Sequence, residues 1–436
     1  MRDLAGGLRV HNYDEEGFPM RIRMSGMSGL GVWAVLAVLL LVVAACVTED
    51  TTGDGDADVA DDADEDAAEI EDEDAGDDAS DEDDATDDGD DEAAVDEAEL
   101  AEAIEETASE LCVDEFASVE APEGFTVGLV TDIGTVADGT FNQSAYEGMQ
   151  AAADCFGFET EVIETASEAD YSANMDAMVA IEPDVVLTVG FLLADATMEY
   201  SEANPDINFV GIDQFQQEYP DNYVGVQFRE DQGGYLAGTM AALMTESNVI
   251  GVIAGQEEVP PVVRFSNAIQ SAVADINPDA TVQVVYHESF TDPAAGQSTA
   301  NQMLGEGADV IFGAGGLTGS GGIQAAAEDG AWVIGVDQDE YYTTFGGGSR
   351  PGADRLLTSA IKRIDIAVFD QIAATISGEF AGDTYTLTAE NDGITYTEFH
   401  DAEVPDDVAE QLEEVRQGLA DGSIETGVDP ATGEPL

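Results

Sequence analysis

Short apolar runs alternate with amphipathic segments along the chain from about residue 125 onward. The runs are rich in Val and Ile and are bounded by turn residues, which is typical of strands. They predict strands at 125–131, 158–164, 184–189, 207–212 and 223–226, and then at 249–254, 281–286, 310–312 and 332–336. The chain therefore contains two successive sets of predicted strands.

The segments between these runs repeat their apolar residues every three to four positions, which predicts helices. One such segment places Ala145, Met149, Ala152 and Phe156 on one face and ends at Gly157. Further helices are predicted at 173–181, 193–203, 233–244, 264–276, 295–304 and 322–328, with a long helical stretch at 356–377. Strand and helix thus alternate through both halves of this region.

Continuous apolar strands between helices are typical of parallel sheets that are covered on both faces. We therefore predict an α/β fold with two Rossmann-like lobes within a domain at 113–436. The first lobe is placed at about 124–246 plus a returning C-terminal segment, and the second at about 247–360. In such sheets ligands bind beyond the carboxyl ends of the strands, so the loops that follow the strands are the places to look for a site.

The first 46 residues have the pattern of a signal peptide. Arg21 and Arg23 precede an apolar run at 30–45, and small residues come directly before Cys46. This ending is similar to a bacterial lipobox, in which Cys46 becomes the lipidated N-terminus. A membrane span with an incidental Cys is the alternative, but a run of about 16 residues is short for that purpose. We predict a lipid anchor on the extracytoplasmic face of the cell membrane.

Charge is distributed unevenly along the chain. There are 11 Lys+Arg and 95 Asp+Glu residues, a formal net charge of −84, and residues 47–110 contain 33 acids and no base. A segment this polar cannot offset its ordering entropy by burial, so 47–112 is predicted to be a disordered linker. Its last part has apolar residues at helical spacing, which predicts a short helix there: Leu100, Ile104, Ala108 and Leu111.

The strong negative charge of the chain limits which molecules it can bind. Nucleic acid is excluded, because binding to its phosphates requires a basic surface. An uncharged or cationic ligand is favoured over a nucleotide for the same reason. His11, His287 and His400 do not cluster and no metal-ligand spacing occurs, so we predict no metal and no cofactor. With Cys46 lipidated, Cys112 and Cys155 are either one disulfide or two separate thiols.

The loop after the first predicted strand carries Asp132, Phe141 and Asn142. A carboxamide can donate and accept hydrogen bonds at once, and a Phe at a loop tip can stack on a flat ring. The alternative is a helix start, with Thr140 or Asn142 as the N-cap and Phe141 as its apolar staple. Both interpretations can hold together.

Asp213 and Asp337 end a strand in the same Gly-x-Asp-Gln form, one in each lobe. A carboxylate there can accept hydrogen bonds from a ligand, although a solvated loop acid is the alternative. The glycine-rich loop at 313–322 lacks the spacing of a dinucleotide fingerprint or a P-loop, so we favour close backbone approach to an uncharged ligand. Phe290 follows another strand and offers a second ring, or else packs in the core.

Lys362 is the only lysine in the chain. In a composition this depleted of lysine, the residue is a candidate to place its ammonium near ligand hydroxyls. Charge balance within an acidic shell is the alternative, and Arg363 beside it could serve that purpose equally well.

Several of these motifs occur in an order that resembles the basic membrane lipoprotein (BMP) family of ABC transporter substrate-binding proteins, of the purine nucleoside receptor A type. The resemblance extends from residue 125 to about 383. It rests on Thr131-Asp132 with 138–143, on 228–231 leading into 235–238, on 307–312 with the glycine loop, on 335–339, and on Thr358-Ser359 with Lys362-Arg363.

The resemblance implies two Rossmann-like lobes joined by a hinge, as in type I periplasmic binding proteins, with a nucleoside held between them. Carried over position by position, it makes Phe141 and Phe290 the rings around the base. It makes Asp132, Asn142 and Asp213 partners of the base edge, and it makes Gly316, Asp337 and Lys362 contacts of the ribose.

We therefore expect a monomeric, lipid-anchored receptor that captures a purine nucleoside by hinge closure and delivers it to an ABC permease. A receptor for a sugar or another small metabolite is the alternative ligand class, and a sensor component is the alternative role. An enzyme is disfavoured, because the candidate loops contain no nucleophile–base pair and no His.

The lipobox makes a prediction that mass spectrometry of the membrane-associated protein can check. The mature chain is expected to begin at Cys46 with acyl groups attached, because cleavage follows the small residues and lipid is added to the exposed Cys. Recovery of a mature protein that still carries an unmodified Met1 contradicts this expectation.

Overall fold

Two sheets with helices on both faces organise the molecule. A computed structural model describes residues 97–113, 116 and 118–436. The described chain begins with the short helix that the linker pattern predicted. The elements in the first part are α1 (Glu97–Leu111), β1 (Thr126–Ile133), α2 (Phe141–Phe156), β2 (Glu159–Thr165), α3 (Tyr171–Val179), β3 (Val185–Val189), α4 (Ala194–Ala203), β4 (Asn208–Ile212), β5 (Tyr223–Phe228) and α5 (Glu230–Met244).

The same alternation continues in the second part of the chain. Its elements are β6 (Val249–Ala254), α6 (Pro260–Ile276), β7 (Thr281–Tyr286), α7 (Pro293–Gly305), β8 (Val310–Ala314), α8 (Gly316–Glu328), β9 (Trp332–Asp337), α9 (Glu340–Thr343), β10 (Leu356–Lys362), α10 (Ile364–Ser377), β11 (Thr384–Leu387), β12 (Ile394–Tyr396) and α11 (Asp406–Ala420).

Both sheets have the same doubly wound strand order. The first runs β11-β5-β4-β3-β1-β2 and is parallel throughout. The second runs β12-β10-β9-β8-β6-β7 and is parallel except for the antiparallel edge strand β12. This confirms the predicted α/β fold with two Rossmann-like lobes.

Strand β3 shows why these apolar runs form strands that are buried on both faces. All five of its residues are buried. Val185, Leu187 and Val189 pack into the cluster beneath α2 and α10, while Val186 packs on the opposite face with Met175 of α3. Successive side chains of a strand point to opposite faces, so both faces need apolar residues.

The chain crosses between the lobes at residues 228–230, 362–364 and 387–394, which we call the crossing segments. The first crossing comes earlier than the boundary predicted at 246/247, because α5 packs on α6 of the second lobe. Leu236 and Met240 of α5 share a core cluster with Phe265 and Ile269 of α6. Helical periodicity shows that α5 has an apolar face but not which sheet that face covers.

The long helix predicted at 356–377 is wrong in its first part. Residues Leu356–Lys362 form the strand β10, and the helix α10 begins only at Ile364. A run of seven mostly apolar residues has no periodicity that separates a buried strand from a buried helix. This segment is a strand because β10 forms backbone hydrogen bonds with β9 on one side and with β12 on the other.

Helix α1 is fastened to the first lobe. It packs on α2, and a disulfide joins Cys112 at its end to Cys155 of α2, with 5.6 Å between the Cα atoms. Glu110 also accepts a hydrogen bond of 3.0 Å from Arg363 in a crossing segment. The open question about the two cysteines is thereby answered in favour of one disulfide.

The predicted signal peptide, the lipobox at Cys46 and the linker as far as residue 96 lie outside the described residues. Within the part of the chain that the structure does describe, none of the helices is both long and apolar enough to cross a bilayer.

Removal of the disulfide is expected to destabilise the attachment of α1. The Cys112→Ser/Cys155→Ser double variant should lose about 2–4 kcal/mol of stability, because the cross-link closes a long loop in the unfolded chain. Urea unfolding of both proteins measures the difference. A double variant as stable as the parent, without a change in the denaturant slope, contradicts this role.

Candidate functional site

A cleft between the lobes lies at the carboxyl ends of the parallel strands. It encloses about 740 Å³, including its open mouth, and is lined by loops of both sheets. All eight residues that the sequence nominated line it: Asp132, Phe141, Asn142, Asp213, Phe290, Gly316, Asp337 and Lys362. The structure thus brings together side chains that are as far as 230 positions apart in the sequence.

The loop before α2 is organised by Asp138. Its carboxylate accepts hydrogen bonds from the backbone N–H groups of Thr140, Asn142 and Gln143 and from Nδ2 of Asn142, at 2.9–3.1 Å. Asp138, and not Thr140 or Asn142, is therefore the side chain that caps the helix, since an aspartate two or three residues before the first turn reaches its free N–H groups. The helix-start interpretation and the binding interpretation both apply to this loop.

Asn142 is held in one orientation by its neighbours. Nδ2 donates to Asp138 Oδ2 at 3.0 Å, and Oδ1 accepts from the backbone N–H of Asp132 at 3.2 Å. Asp132 in turn accepts a 2.5 Å hydrogen bond from the hydroxyl of Tyr171. A polar side chain that is fixed in this way presents its remaining donor or acceptor at a defined place in the cleft.

Asp213 and Asp337 share an unusual backbone conformation. Both have positive φ angles, 62° and 66°, at the residue where the strand meets its loop. Asp tolerates this left-handed region better than most residues do. The repeated Gly-x-Asp-Gln form therefore has a structural basis: in each lobe it turns the chain sharply and places a buried carboxylate on the cleft.

Lys362 is the centre of a buried chain of ion pairs. Its Nζ donates to Asp213 Oδ2 at 2.5 Å and lies 3.1 Å from Glu230 Oε1, while Glu230 Oε2 accepts from Arg264 Nε at 2.6 Å. The side chains of all four are at most 6% exposed. This chain links the first lobe, a crossing segment and the second lobe. Charge balance, the alternative interpretation for Lys362, is thus part of its role. Arg363 lies outside this chain of ion pairs and instead pairs with Glu110 and Asp365.

The two rings and the glycine loop make up much of the apolar wall. Lys362 Nζ lies 4.9 Å from the centre of the Phe141 ring, so this ring also contacts the buried cation. Gly316 has φ +57°, and a Cβ atom at this position would lie 2.9 Å from the carbonyl oxygen of Phe290. Only glycine therefore allows the start of α8 to approach Phe290 so closely.

Burial raises the pKa of four carboxyl groups that line the cleft, those of Asp132, Asp138, Asp213 and Asp337. Asp132 and Asp213 have a pKa of about 6, and Asp337 has a pKa of about 7. Lys362 opposes the rise at Asp213 and Asp337, while Tyr171 opposes it at Asp132. One ammonium cannot neutralise four carboxyl groups, so the cleft is an electronegative environment that favours ligand N–H and O–H donors.

Sequence reasoning did not nominate several other apolar residues that line the cleft, among them Phe191, Val259, Pro261, Val262, Phe265 and Leu317. Phe191 directly follows Gly190 at the end of β3, so the rule that places ligands beyond strand ends was sufficient to find it. The α6 residues carry no such signal, because their apolar character also fits the core. Among the described residues, no cluster of His, Cys, Asp and Glu could hold a metal ion.

Comparisons with known proteins agree with this architecture. Residues 125–424 match the family model for Bmp, described as "ABC transporter substrate-binding protein PnrA-like". A CD4+ T-cell-stimulating antigen of Listeria innocua serovar 6a is 35% identical over 325 residues, covering 70% of this chain and 89% of that protein. The ABC transporter nucleoside-binding protein BmpA of Lactococcus lactis subsp. cremoris is 32% identical over 284 residues, covering 61% of this chain and 79% of that protein.

The same class appears among solved structures. An ABC transporter solute-binding protein from Aeropyrum pernix K1 superposes with a TM-score of 0.62 at 25% identity, covering 69% of this chain and 92% of that one. The fold and the cleft are thus those of a two-lobed substrate-binding protein. The chain belongs to the Bmp family of ABC transporter substrate-binding proteins.

Loss of the buried ammonium is expected to destabilise the whole domain. Lys362→Met leaves Asp213 and Glu230 without their shared cation, which should cost about 3–5 kcal/mol in the free energy of unfolding. Arg355→Met is the control, since this half-exposed side chain contributes at most about 1 kcal/mol. Urea unfolding without ligand compares the two variants. A loss below about 1 kcal/mol for Lys362→Met shows that the ion-pair chain is not structural.

Proposed function

We propose that this substrate-binding protein is a lipid-anchored receptor that captures a purine nucleoside and delivers it to an ABC permease. The proposal extends the family assignment in two respects, the ligand and the anchor. The anchor rests on the sequence pattern that ends at Cys46. The ligand rests on the chemistry of the cleft.

One oxygen in the cleft supports a ligand with hydrogen-bond donors most directly. Oδ1 of Asp213 is buried and has no hydrogen-bond partner among the described residues, whereas Oδ2 of the same carboxylate accepts from Lys362. An unsatisfied buried acceptor costs about 1–3 kcal/mol, which a ligand N–H or O–H group recovers on binding. The base edge and the ribose of a nucleoside both carry such groups.

The aromatic lining supports a ligand with a flat ring. Phe141 belongs to the first lobe, while Phe290 belongs to the second, and both line the same cleft. A planar base between two rings gains about 1–3 kcal/mol from each stacking contact. A sugar offers no such surface, and the Lactococcus relative that carries the name nucleoside-binding protein is consistent with a base.

Charge supports a nucleoside over a nucleotide. The carboxyl groups that line the cleft are those of Asp132, Asp138, Asp213 and Asp337, and the only cationic residue among the described ones that line it is Lys362. A phosphate group in this position is repelled by the carboxylates and finds no free cation among the lining residues. An uncharged ligand avoids this repulsion.

Hinge closure supplies the mechanism. Ligand contacts from both lobes stabilise the closed arrangement over the open one, and the crossing segments allow the lobes to move. Phe191 of the first lobe already packs against the apolar cluster of the second lobe, so closure also buries apolar surface. No reaction is required for this role.

Calorimetric titration with adenosine, inosine, guanosine and ribose, at moderate and high salt, tests the ligand class. Wild-type protein is expected to bind at least one nucleoside, and Phe141→Ala should weaken this binding by about 5- to 150-fold through the lost stacking. Asp337→Asn should weaken it as well, because Asn keeps the left-handed backbone but loses the charged acceptor.

Phe215→Ala is the matched control, since Phe215 is an exposed ring of the first lobe that does not line the cleft. Its affinity is expected to equal that of the parent protein. Binding of ribose without any nucleoside points to a sugar receptor and rejects the purine proposal. Equal losses in Phe141→Ala and Phe215→Ala reject the stacking role.

A further inference from the structure

The glutamine of the repeated Gly-x-Asp-Gln form is used differently in the two lobes. Gln214 in the first lobe is completely buried; its Nε2 donates to the Gly190 carbonyl at 2.9 Å and its Oε1 accepts from the Tyr223 hydroxyl at 2.7 Å. It therefore braces the strand ends of its own sheet. Gln338, its counterpart in the second lobe, has no such partners within its own sheet and instead reaches the first lobe.

The partner of Gln338 is Glu147 on α2. Nε2 of Gln338 donates to Glu147 Oε2 at 3.0 Å, and Gln143 Nε2 donates to Glu147 Oε1 at 2.8 Å. Gln143 in turn accepts from the backbone N–H of Gly139 at 3.0 Å. A continuous chain of hydrogen bonds thus runs from the loop that carries Phe141 to the residue next to Asp337.

We propose that the Gln338–Glu147 pair is an interlobe latch that stabilises the closed cleft, and that a proton on Glu147 controls it. Neither side chain belongs to a crossing segment, so the hydrogen bond forms only when the lobes approach each other. Both residues are positioning residues, since neither lines the nucleoside cleft. The latch acts on the affinity for any ligand that requires closure.

The surroundings of Glu147 make this position sensitive to charge. Asp138 precedes its helix and Asp365 faces it from α10, and both repel a carboxylate there. Glu147 also borders a second, solvent-open cavity, through which protons can exchange. The other charged groups that line this cavity are Glu102, Glu106 and Glu110 of α1, Asp337, Asp339, Lys362 and Arg363. Arg363 is already paired with Asp365 and Glu110, and Lys362 with Asp213 and Glu230.

The direction of the pH effect follows from this geometry. Burial raises the pKa of Glu147 to about 8, Asp365 and Asp138 add to the rise, and the two glutamine donors oppose it. Opening removes the second lobe and returns water to the carboxyl group, so its pKa falls towards the ordinary value. Closure therefore takes up a proton: it is favoured at low pH, weakens as the pH rises from the ordinary glutamate range to about 8, and changes no further above that, because Glu147 is then ionised in both states.

Two variants and one matched control test the latch, with adenosine, inosine and guanosine as probes. Gln338→Ala is expected to weaken binding about two- to tenfold, the usual effect of losing a hydrogen bond between neutral groups. Gln302→Ala is the control. Gln302 donates to Glu306 at the end of α7, so this substitution removes a glutamine–glutamate hydrogen bond that lies inside one lobe. Thermal unfolding of each variant without ligand checks that the fold is retained.

The pH profile separates a latch from a merely structural contact. Relative to Glu147→Gln, which mimics the protonated form, wild-type affinity should fall by up to about tenfold per pH unit between about pH 6 and pH 8, and the ratio of the two affinities should level off above about pH 8. Adenosine is the preferred probe for this series, because its base does not lose a proton there. Asp132, Asp213 and Asp337 titrate in the same range, at about 6 to 7, and Glu147→Gln retains all three, so the ratio of the two affinities isolates the contribution of Glu147.

The binding experiments rest on the proposed function, because they need a nucleoside that binds. A second experiment therefore measures closure of the lobes directly, without ligand. Spin labels at Glu202→Cys and Glu328→Cys, one exposed position in each lobe, report the interlobe distance without any ligand. Wild-type protein should shift towards longer distances between about pH 6 and pH 8 by more than Glu147→Gln does, with no further difference above about pH 8. If no nucleoside binds, the proposed ligand class is rejected, and the distance measurement alone then decides whether the latch exists. Equal behaviour of Gln338→Ala and Gln302→Ala, or pH profiles shared by wild type and Glu147→Gln, overturns the latch.

Discussion

The buried ion-pair chain from Asp213 through Lys362 and Glu230 to Arg264 is the constraint on which the structure depends. It lies where the lobes, the hinge and the cleft meet, and each member is shielded from water. Charges in such a place are stable only as a set, because removal of one leaves another buried without a partner. The chain therefore ties the geometry of the cleft to the hinge, and it explains why a protein with a single lysine keeps that lysine in the interior.

The scarcity of basic residues also determines the chemistry of the cleft. Burial raises the pKa of the cleft carboxyl groups, and Lys362 opposes this rise only at Asp213 and Asp337. The result is a site rich in acceptors and poor in cations, flanked by two aromatic rings and closed by contacts between lobes. Together these features favour one kind of ligand: an uncharged, planar molecule that carries hydrogen-bond donors. Helix α1, held by the disulfide and by Arg363, joins the acidic linker to the first lobe close to the hinge.

The alternation of strands and helices could be read from the sequence because it is a local property. All of the first six strands of the chain were predicted within about two residues of their observed bounds. Strand β3 shows why: a strand buried on both faces has to be apolar throughout. Errors arose where the pattern is ambiguous. Leu356–Lys362 is apolar enough for either a strand or a helix, and α5 has an apolar face that fits either lobe.

The sequence by itself determined the two-lobed class, the eight residues now found on the cleft and the excess of acid that argues for a neutral ligand. Strand ends in a parallel sheet converge on one edge, so residues that follow strands meet without further information. Tertiary structure alone decided the partners: Lys362 with Asp213 and Glu230, Cys112 with Cys155, and Gln338 with Glu147 across the lobes. Glu147 and Gln338 are 191 positions apart, and no periodicity carries information over such a distance. The two residues meet only because one lobe packs against the other in the folded protein.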